Sequence, residues 1–338
     1  MKSPMSSSRA RILGPGRALL VAFLVASPAS AQSGLLAARA FAEAAARAPA
    51  GDSSAAPAAA EHVFDAFASL VERERRLRAA RRLTSADATD FDALVAAGRS
   101  AALELDGGTT RHRLERVLSG AQADGLVDRD AALRALAPAL ERFADDLAFE
   151  PRMEAELPPG FPPPTPAYEI ELLSYPAYRL ASADMARGDG RAFWTLFEHI
   201  ESNDIPMTAP VETTYSEEDA RRPATMAFLY DEASRGEVGE RGAVTIADVA
   251  PQLVVSIGCR GNDTPARIAS ARSALESWIA ERSDLEVAGP LRVMGFNSPM
   301  VIGSRRFFEV QIPVRARSGG ASGISGVGDA PEKAGAPR

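Results

Sequence analysis

Residues 190–211 read Gly190-Arg191-Ala192-Phe193-Trp194-Thr195-Leu196-Phe197-Glu198-His199-Ile200-Glu201-Ser202-Asn203-Asp204-Ile205-Pro206-Met207-Thr208-Ala209-Pro210-Val211. Two periodicities meet in this stretch. At about 100° per residue, Phe193, Leu196, Phe197 and Ile200 fall on one arc, the pattern of an amphipathic helix over about Gly190 to Ser202. His199 lies off one side of that arc and Trp194 off the other. A strand follows from about Met207 to Tyr215. Pro206 and Pro210 bracket its start, which suits an edge strand, because proline cannot donate to a ladder.

Outward from this stretch, strand-like runs flank Pro176, from Tyr168 to Leu173 and from Ala177 to Met185, and another covers Thr225 to Tyr230. The same order then recurs. Runs from Val244 to Val249 and Gln252 to Cys259 flank Pro251. Thr264 caps a helix with Pro265 in its first turn. Strands follow near Leu285 to Phe296 and Phe307 to Val314. The chain's two tryptophans, Trp194 and Trp278, fall one on each helix. The pattern predicts an α+β domain over residues 167–315, built from duplicated strand-strand-helix-strand-strand units around a central groove.

Upstream the period is helical. Val63, Phe64, Phe67, Leu70, Val71 and Leu77 recur at three- and four-residue spacing. Asp90 caps a second helix with Phe91, Leu94 and Val95, and Gly107-Gly108 ends it. Leu114, Val117 and Leu118 mark a third helix, and Leu133, Leu136, Leu140, Phe143 and Leu147 a fourth. Residues 61–150 therefore read as a small all-α helical bundle. The proline-rich segment 151–166 reads as an extended linker and the domain boundary. Residues 32–60 are an Ala-rich low-complexity tether, and 316–338 a Gly- and Ala-rich tail without apolar content to order it.

Residues 1–31 have the form of a signal peptide. Lys2, Arg9, Arg11 and Arg17 precede an apolar run from Ala18 to Ala26, far short of the roughly 20 residues that span a bilayer. Ala29-Ser30-Ala31 offers a small-x-small cleavage site before Gln32. Export to the periplasm or outside the cell is the expectation, with no transmembrane segment after cleavage. Losing those four basic residues takes the formal net charge from −7 to −11. That argues against a nucleic-acid partner, which needs a basic surface. Cys259, the one cysteine, rules out an intramolecular disulfide; its apolar surroundings suggest a buried, inert thiol.

Four motifs in order resemble the SOUL haem-binding family. They are Tyr168-Glu169-Ile170 through Tyr175-Pro176-Ala177-Tyr178, the aromatic helix running into Met207-Thr208-Ala209-Pro210-Val211, Gly295-Phe296-Asn297-Ser298-Pro299, and Arg305-Arg306-Phe307-Phe308-Glu309-Val310. The resemblance implies a distorted barrel that binds haem or a related porphyrin in a groove beside the first helix. Phe197 takes the groove-facing apolar position, with Phe193 beside it, and Arg191 matches an arginine near the helix start. Two family lysines proposed to meet propionates fall on Glu198 and Val301, neither of which can pair with one.

Within this frame His199, at the edge of the arc, suits either an axial imidazole or a solvated residue. Met207 offers a thioether or, as the start of a buried strand, core packing. Arg305 and Arg306, adjacent on a strand, would point to opposite faces, leaving Arg305 or its neighbour to meet a carboxylate. His62 and His112 have no partner at zinc spacing. The six arginines between Glu72 and Arg82 read as a solvated helix face. Asp124 to Asp128 lacks the alternating oxygens of a calcium loop. No catalytic motif stands out. The expected function is noncovalent tetrapyrrole binding. The alternatives are an interaction module whose helical bundle meets a protein partner, and an enzyme using groove carboxylates such as Glu198 or Glu212.

Overall fold

The computed structural model describes residues 55–219 and 221–317, with side chains from Leu70 onward. The predicted signal peptide, nearly all of the tether, most of the tail, and the side chains of His62, Val63, Phe64 and Phe67 lie outside the described residues. None of the described helices is long and apolar enough to cross a membrane.

The N-terminal part is four helices: α1 (Ala55–Thr84), α2 (Phe91–Glu104), α3 (Thr109–Gly125) and α4 (Arg129–Leu147). Their starts follow local chemistry. The Asp90 carboxylate accepts from the N–H groups of Asp92 and Ala93, and the Asp128 carboxylate from that of Ala131. Each satisfies donors that the first helical turn leaves unpaired. Leu94, Leu114, Leu118, Leu136, Leu140 and Phe143 meet in one buried core, as the three- and four-residue spacing predicts, and α1 joins it through Ala79, Ala80 and Leu83, with Leu70, Val71 and Leu77 only half-buried.

The C-terminal part is mixed α+β. Its strands are β1 (Ile170–Tyr175), β2 (Tyr178–Asp184), β3 (Val211–Tyr215), β4 (Pro223–Leu229), β5 (Gly239–Arg241), β6 (Val244–Val249), β7 (Gln252–Arg260), β8 (Leu285–Val287), β9 (Arg292–Gly295) and β10 (Phe307–Ala316). Helix α5 (Asp189–Ser202) follows β2, and α6 (Pro265–Ala280) follows β7. The ten strands form one antiparallel sheet in the order β1-β7-β10-β9-β3-β4-β2-β6-β5, with β8 beside β10.

Three expectations are corrected. The ladder is an open path that starts at β1 and ends at the three-residue β5, so it does not close into a barrel. Strand β3 is central, paired with both β4 and β9, and not an edge strand. Its ladder begins only at Val211, so Pro206 and Pro210 precede it and cost it no hydrogen bond. Arg305 and Arg306 are not in β10 either: Arg305 ends a 3₁₀ turn (Gly303–Arg305), and the strand starts at Phe307. The alternation of facing that would set the two arginines apart therefore does not apply.

Both helices lie on one face of the sheet. Leu196 and Ile200 of α5 pack on Ala181, Phe228 and Ile246, and Ile268 and Leu275 of α6 on Val255, Val310 and Ile312. Strand alternation sends Val254, Leu229, Leu180, Tyr175 and Tyr178 to the opposite face. There the proline-rich segment covers them. Phe161 is buried edge-on to Tyr175 (4.9 Å between centroids) and Tyr178 (5.1 Å). The Thr165 N–H donates to the Glu309 carboxylate at 2.5 Å, and the Tyr168 N–H to the Gly258 carbonyl at 2.8 Å. A Cβ on Gly258 would sit 2.6 Å from the Pro166 carbonyl oxygen, so only glycine lets the segment lie this close.

The helical bundle meets the sheet through Arg76. It is the exception in the arginine-rich run: 4% exposed, where its neighbours pair at the surface with Glu150, Asp106 and Glu104. It donates to the carbonyls of Ala167 (3.0 Å) and Asp146 (3.3 Å) and faces Glu169 at 3.5 Å. Burial lowers its pKa, against the pull of Glu169 and Glu72. Carboxylates gather around it. Burial, reinforced by Glu309, Glu169 and Glu72 and opposed by Arg76, pushes Glu171 up to about 7. Burial also pushes Glu309 to about 7, against hydrogen bonds from Thr165, Gln311 and Ser256.

Both folded pKa values lie above the unfolded one, so these carboxyls stabilise the fold fully below pH ~4.5 and lose that contribution as pH rises through about 7. The melting temperature is expected to fall between pH ~5 and pH ~8, and Glu171→Gln with Glu309→Gln to flatten the slope. Thermal melts across that range check this. An unchanged slope in the double variant would place the pH dependence elsewhere.

Candidate functional site

Helix α5 sits on β2, β4 and β6, and its orientation decides which side chains are available. Ala192, Leu196 and Ile200 form the buried stripe. The apolar arc expected from the sequence centred between Leu196 and Phe197. The observed stripe centres on Leu196, a rotation of roughly 50° that brings His199 inward and turns Phe197 outward. The physical reason is the small Ala192, one turn before Leu196, which lets the helix settle against the sheet on that side.

The rotation leaves three aromatic rings along the outer flank. The rings of Phe193 and Phe197 are half-buried and nearly parallel, 14° apart in plane with centroids at 6.1 Å. Trp194 is 65% exposed and stands edge-on to Phe193 (5.7 Å) and to Phe197 (5.6 Å). Phe193 also meets Phe228 of β4 edge-on at 5.3 Å, which ties the cluster to the sheet. Arg191, in the first turn, and Glu198 are both exposed.

His199 is on the other flank. Its Nε2 is hydrogen-bonded to the buried Tyr230 hydroxyl at 2.8 Å, and burial, with Arg241 nearby, lowers its pKa. It is thus a neutral, committed imidazole at neutral pH. Met207 is exposed in the loop before β3, so it neither begins a buried strand nor packs in a core. Arg305 lines a cavity between the end of α4 and the β9–β10 connection, and no residue of α5 lines that cavity. Phe193 and Phe197 are therefore the pair of expected site residues in mutual contact; Arg191 shares their helix, and His199, Met207 and Arg305 point elsewhere.

A second constellation, on the helix-free face, escaped the sequence reading. Arg292 of β9 is 4% exposed; its Nε donates to Gln311 at 2.9 Å, and its Nη1 to the Tyr178 hydroxyl at 2.9 Å and to Glu212 at 3.3 Å. The Tyr178 hydroxyl donates to Glu212 at 3.2 Å. Gln311 donates to the Tyr175 hydroxyl (2.9 Å) and to Glu309 (2.7 Å). Burial opposes the charge on Arg292, but Glu212 and the two tyrosines outweigh it and hold its pKa above the ordinary value. Burial raises both tyrosines. The available signal was alternation: Glu309 and Gln311 interrupt Phe308, Val310 and Ile312 at every second position. Glu212, named above as a groove carboxylate, is fully engaged here, and Glu198 sits in solvent on α5, so the two do not form a catalytic pair. Cys259 is buried, its thiol pushed up to about 12 by burial.

Comparison with known proteins agrees with the motifs. Residues 165–313 match the family model described as SOUL heme-binding protein. The match opens two residues before Ala167 and closes one before Val314, so the C-terminal segment carries the family resemblance and the helical bundle lies outside it. No curated protein matches the chain. Among solved structures, EcmrR in a DNA complex is similar at 15% identity and TM-score 0.36 over 44% of this chain, which spans 57% of that one. A hydrolase from Listeria innocua is similar at 9% identity and TM-score 0.34, covering 45% of this chain and 94% of its own. SAV2435 bound to tetraphenylphosphonium is similar at 10% identity and TM-score 0.29, covering 44% and 94%.

The helix rotation has a thermodynamic consequence. Leu196→Ala is expected to cost about 2–5 kcal/mol, since it empties a fully buried site, whereas Trp194→Ala should stay within about 0.5 kcal/mol. Denaturant unfolding of both variants measures this. Equal losses would mean that Trp194 is packed as deeply as Leu196, against both the periodicity and the observed stripe.

Proposed function

We propose that the C-terminal domain binds haem or a related porphyrin noncovalently against the outer flank of α5. The observation that carries this is the aromatic cluster of exposed Trp194 set edge-on to half-buried Phe193 and Phe197. A soluble protein keeps large aromatic groups uncovered at a cost in apolar hydration, and such patches mark binding sites. The family match over residues 165–313 supports a tetrapyrrole as the occupant.

The residues fit the macrocycle better than the metal. Flat aromatic faces suit a flat conjugated ring, which gains by releasing apolar surface from water. Arg191 is an exposed guanidinium at the same helix, and a planar fork suits a propionate. Glu198 on the same helix opposes an anionic ligand, and the overall charge of −7 gives no attractive steering. Iron, when bound, supplies redox and ligand-exchange chemistry. His199 would have to give up its Tyr230 partner before its Nε2 could approach a metal. Binding therefore rests on apolar contact plus one arginine, and not on an axial histidine.

The same reading extends to architecture and location. Exchanging β1 with β6, β2 with β7, β3 with β9 and β4 with β10 reverses the strand order from β1 to β6, which supports two copies of one strand-strand-helix-strand-strand unit. The basic start, short apolar run and Ala29-Ser30-Ala31 site support export with cleavage before Gln32.

Titration of the full chain with hemin and with metal-free protoporphyrin, followed at the Soret band, tests the function. Saturable one-to-one binding of both is expected, with affinities within about tenfold of each other because iron ligation contributes little. Trp194→Ala or Arg191→Ala should weaken both, and Glu198→Lys should strengthen both. No saturable shift with either ligand sinks the porphyrin reading and leaves the aromatic surface as a protein-docking site. A hemin complex lost only in His199→Ala would mean that the imidazole does reach iron.

A further inference from the structure

We infer a second ligand site, for an amphipathic carboxylate, in the cavity where the helical bundle meets the β9–β10 connection. The cavity holds about 500 Å³, within the range of pockets that take drug-sized molecules. Phe149 and Arg152, just beyond α4, form one wall; Val301, Ile302 and Arg305 form the other; Arg260, at the end of β7, closes the base. None of these residues belongs to the α5 surface.

The chemistry of the lining selects the ligand. Arg260 is already committed: it donates to the Asp146 carboxylate at 3.1 Å and the Ser304 carbonyl at 2.8 Å, and lies 4.9 Å from the Phe149 ring centre. The guanidinium groups of Arg152 and Arg305 have no hydrogen-bond acceptor or ion pair among the described residues, and both are exposed to the cavity. Two free planar forks at one apolar cleft call for a carboxylate. Phe149, Val301 and Ile302 offer apolar surface to the rest of the molecule, and Ile302 and Met300 remain open to solvent at the rim. Asp145 and Glu150, the latter paired with Arg73, also line the cavity and disfavour a second anionic group on that side. A single carboxylate on an apolar body meets all of these conditions.

The walls are already tied to one another. Asn297 donates from its amide to the Arg152 carbonyl at 2.6 Å, and the Ser298 N–H donates to Glu154 at 2.6 Å. A site whose walls are held in place loses little entropy on binding. Because one wall belongs to the bundle side and the other to the sheet, a ligand here bridges the two parts of the chain and strengthens their docking.

Calorimetric titration of the full chain with dodecanoate, dodecanol and dodecylammonium tests the site. Dodecanoate should bind saturably with one site per chain, at least tenfold more tightly than either analogue. Arg152→Ala and Arg305→Ala, both surface changes that should leave the circular dichroism spectrum intact, should each weaken dodecanoate at least fivefold. Arg272→Ala, a half-buried arginine on α6 outside this cavity, should not. Dodecanoate should also slow proteolysis within residues 151–166. Equal binding of dodecanol, indifference to both cavity arginines, or no saturable binding of dodecanoate would each overturn the proposal.

Discussion

The sheet has two faces and the two helices cover only one of them. That is the constraint on which the rest of the molecule depends. The uncovered face carries not a plain apolar surface but Glu309, Gln311, Arg292 and Glu212, linked through Tyr175 and Tyr178. Buried polar groups cost free energy unless their hydrogen bonds are made. Residues 157–166 cover the network and supply part of those bonds, while the Arg292 Nη2 and the Thr165 hydroxyl stay buried without a partner among the described residues. The segment lays Phe161 across the tyrosines and spends the Thr165 N–H on Glu309. A segment that composition marks as a spacer is thus the seal of the sheet.

Sealing the sheet from one side ties it to the helical bundle. The strap leads directly from α4, and Arg76 of α1 holds its far end by the Ala167 carbonyl. An arginine this deeply buried persists because carbonyls and carboxylates surround it; without them its desolvation would be prohibitive. The same crowding of Glu169, Glu171 and Glu309 leaves the junction sensitive to protonation. The bundle and the sheet are in this sense one electrostatic unit, although the family resemblance stops at the boundary between them.

With the helix-free face filled by the chain itself, the two proposed binding surfaces lie elsewhere: on the outer flank of α5, where Trp194 faces solvent beside half-buried Phe193 and Phe197, and in the cleft between Phe149 and Ile302. The first is a single helix reading outward; the second exists only because two distant segments meet. In the polar network beneath Phe161, Arg292 is engaged with Glu212, Tyr178 and Gln311, and Glu309 with Thr165 and Gln311.

The sequence by itself determined the elements. Helix and strand periods, the Asp90 and Asp128 caps, Thr264 with Pro265, and the prolines at 176 and 251 act over a few residues, and local physics suffices to read them. The motifs around Met207-Thr208-Ala209-Pro210-Val211 likewise pointed to the family from residues alone. Tertiary structure decided what those elements face. The α5 stripe is centred by the small Ala192 against the sheet, which placed His199 against Tyr230 and Trp194 in water, a rotation that hydrophobic count along the helix does not resolve. Met207 and Arg305 fell in loops because strand ends are set by ladder partners, which sequence does not name. Arg76, Arg292 and Glu309 look like ordinary surface charges in the chain. They are buried because residues far apart in sequence, 91 between Arg76 and Ala167 and 144 between Thr165 and Glu309, supply their hydrogen bonds only after the fold has brought them together.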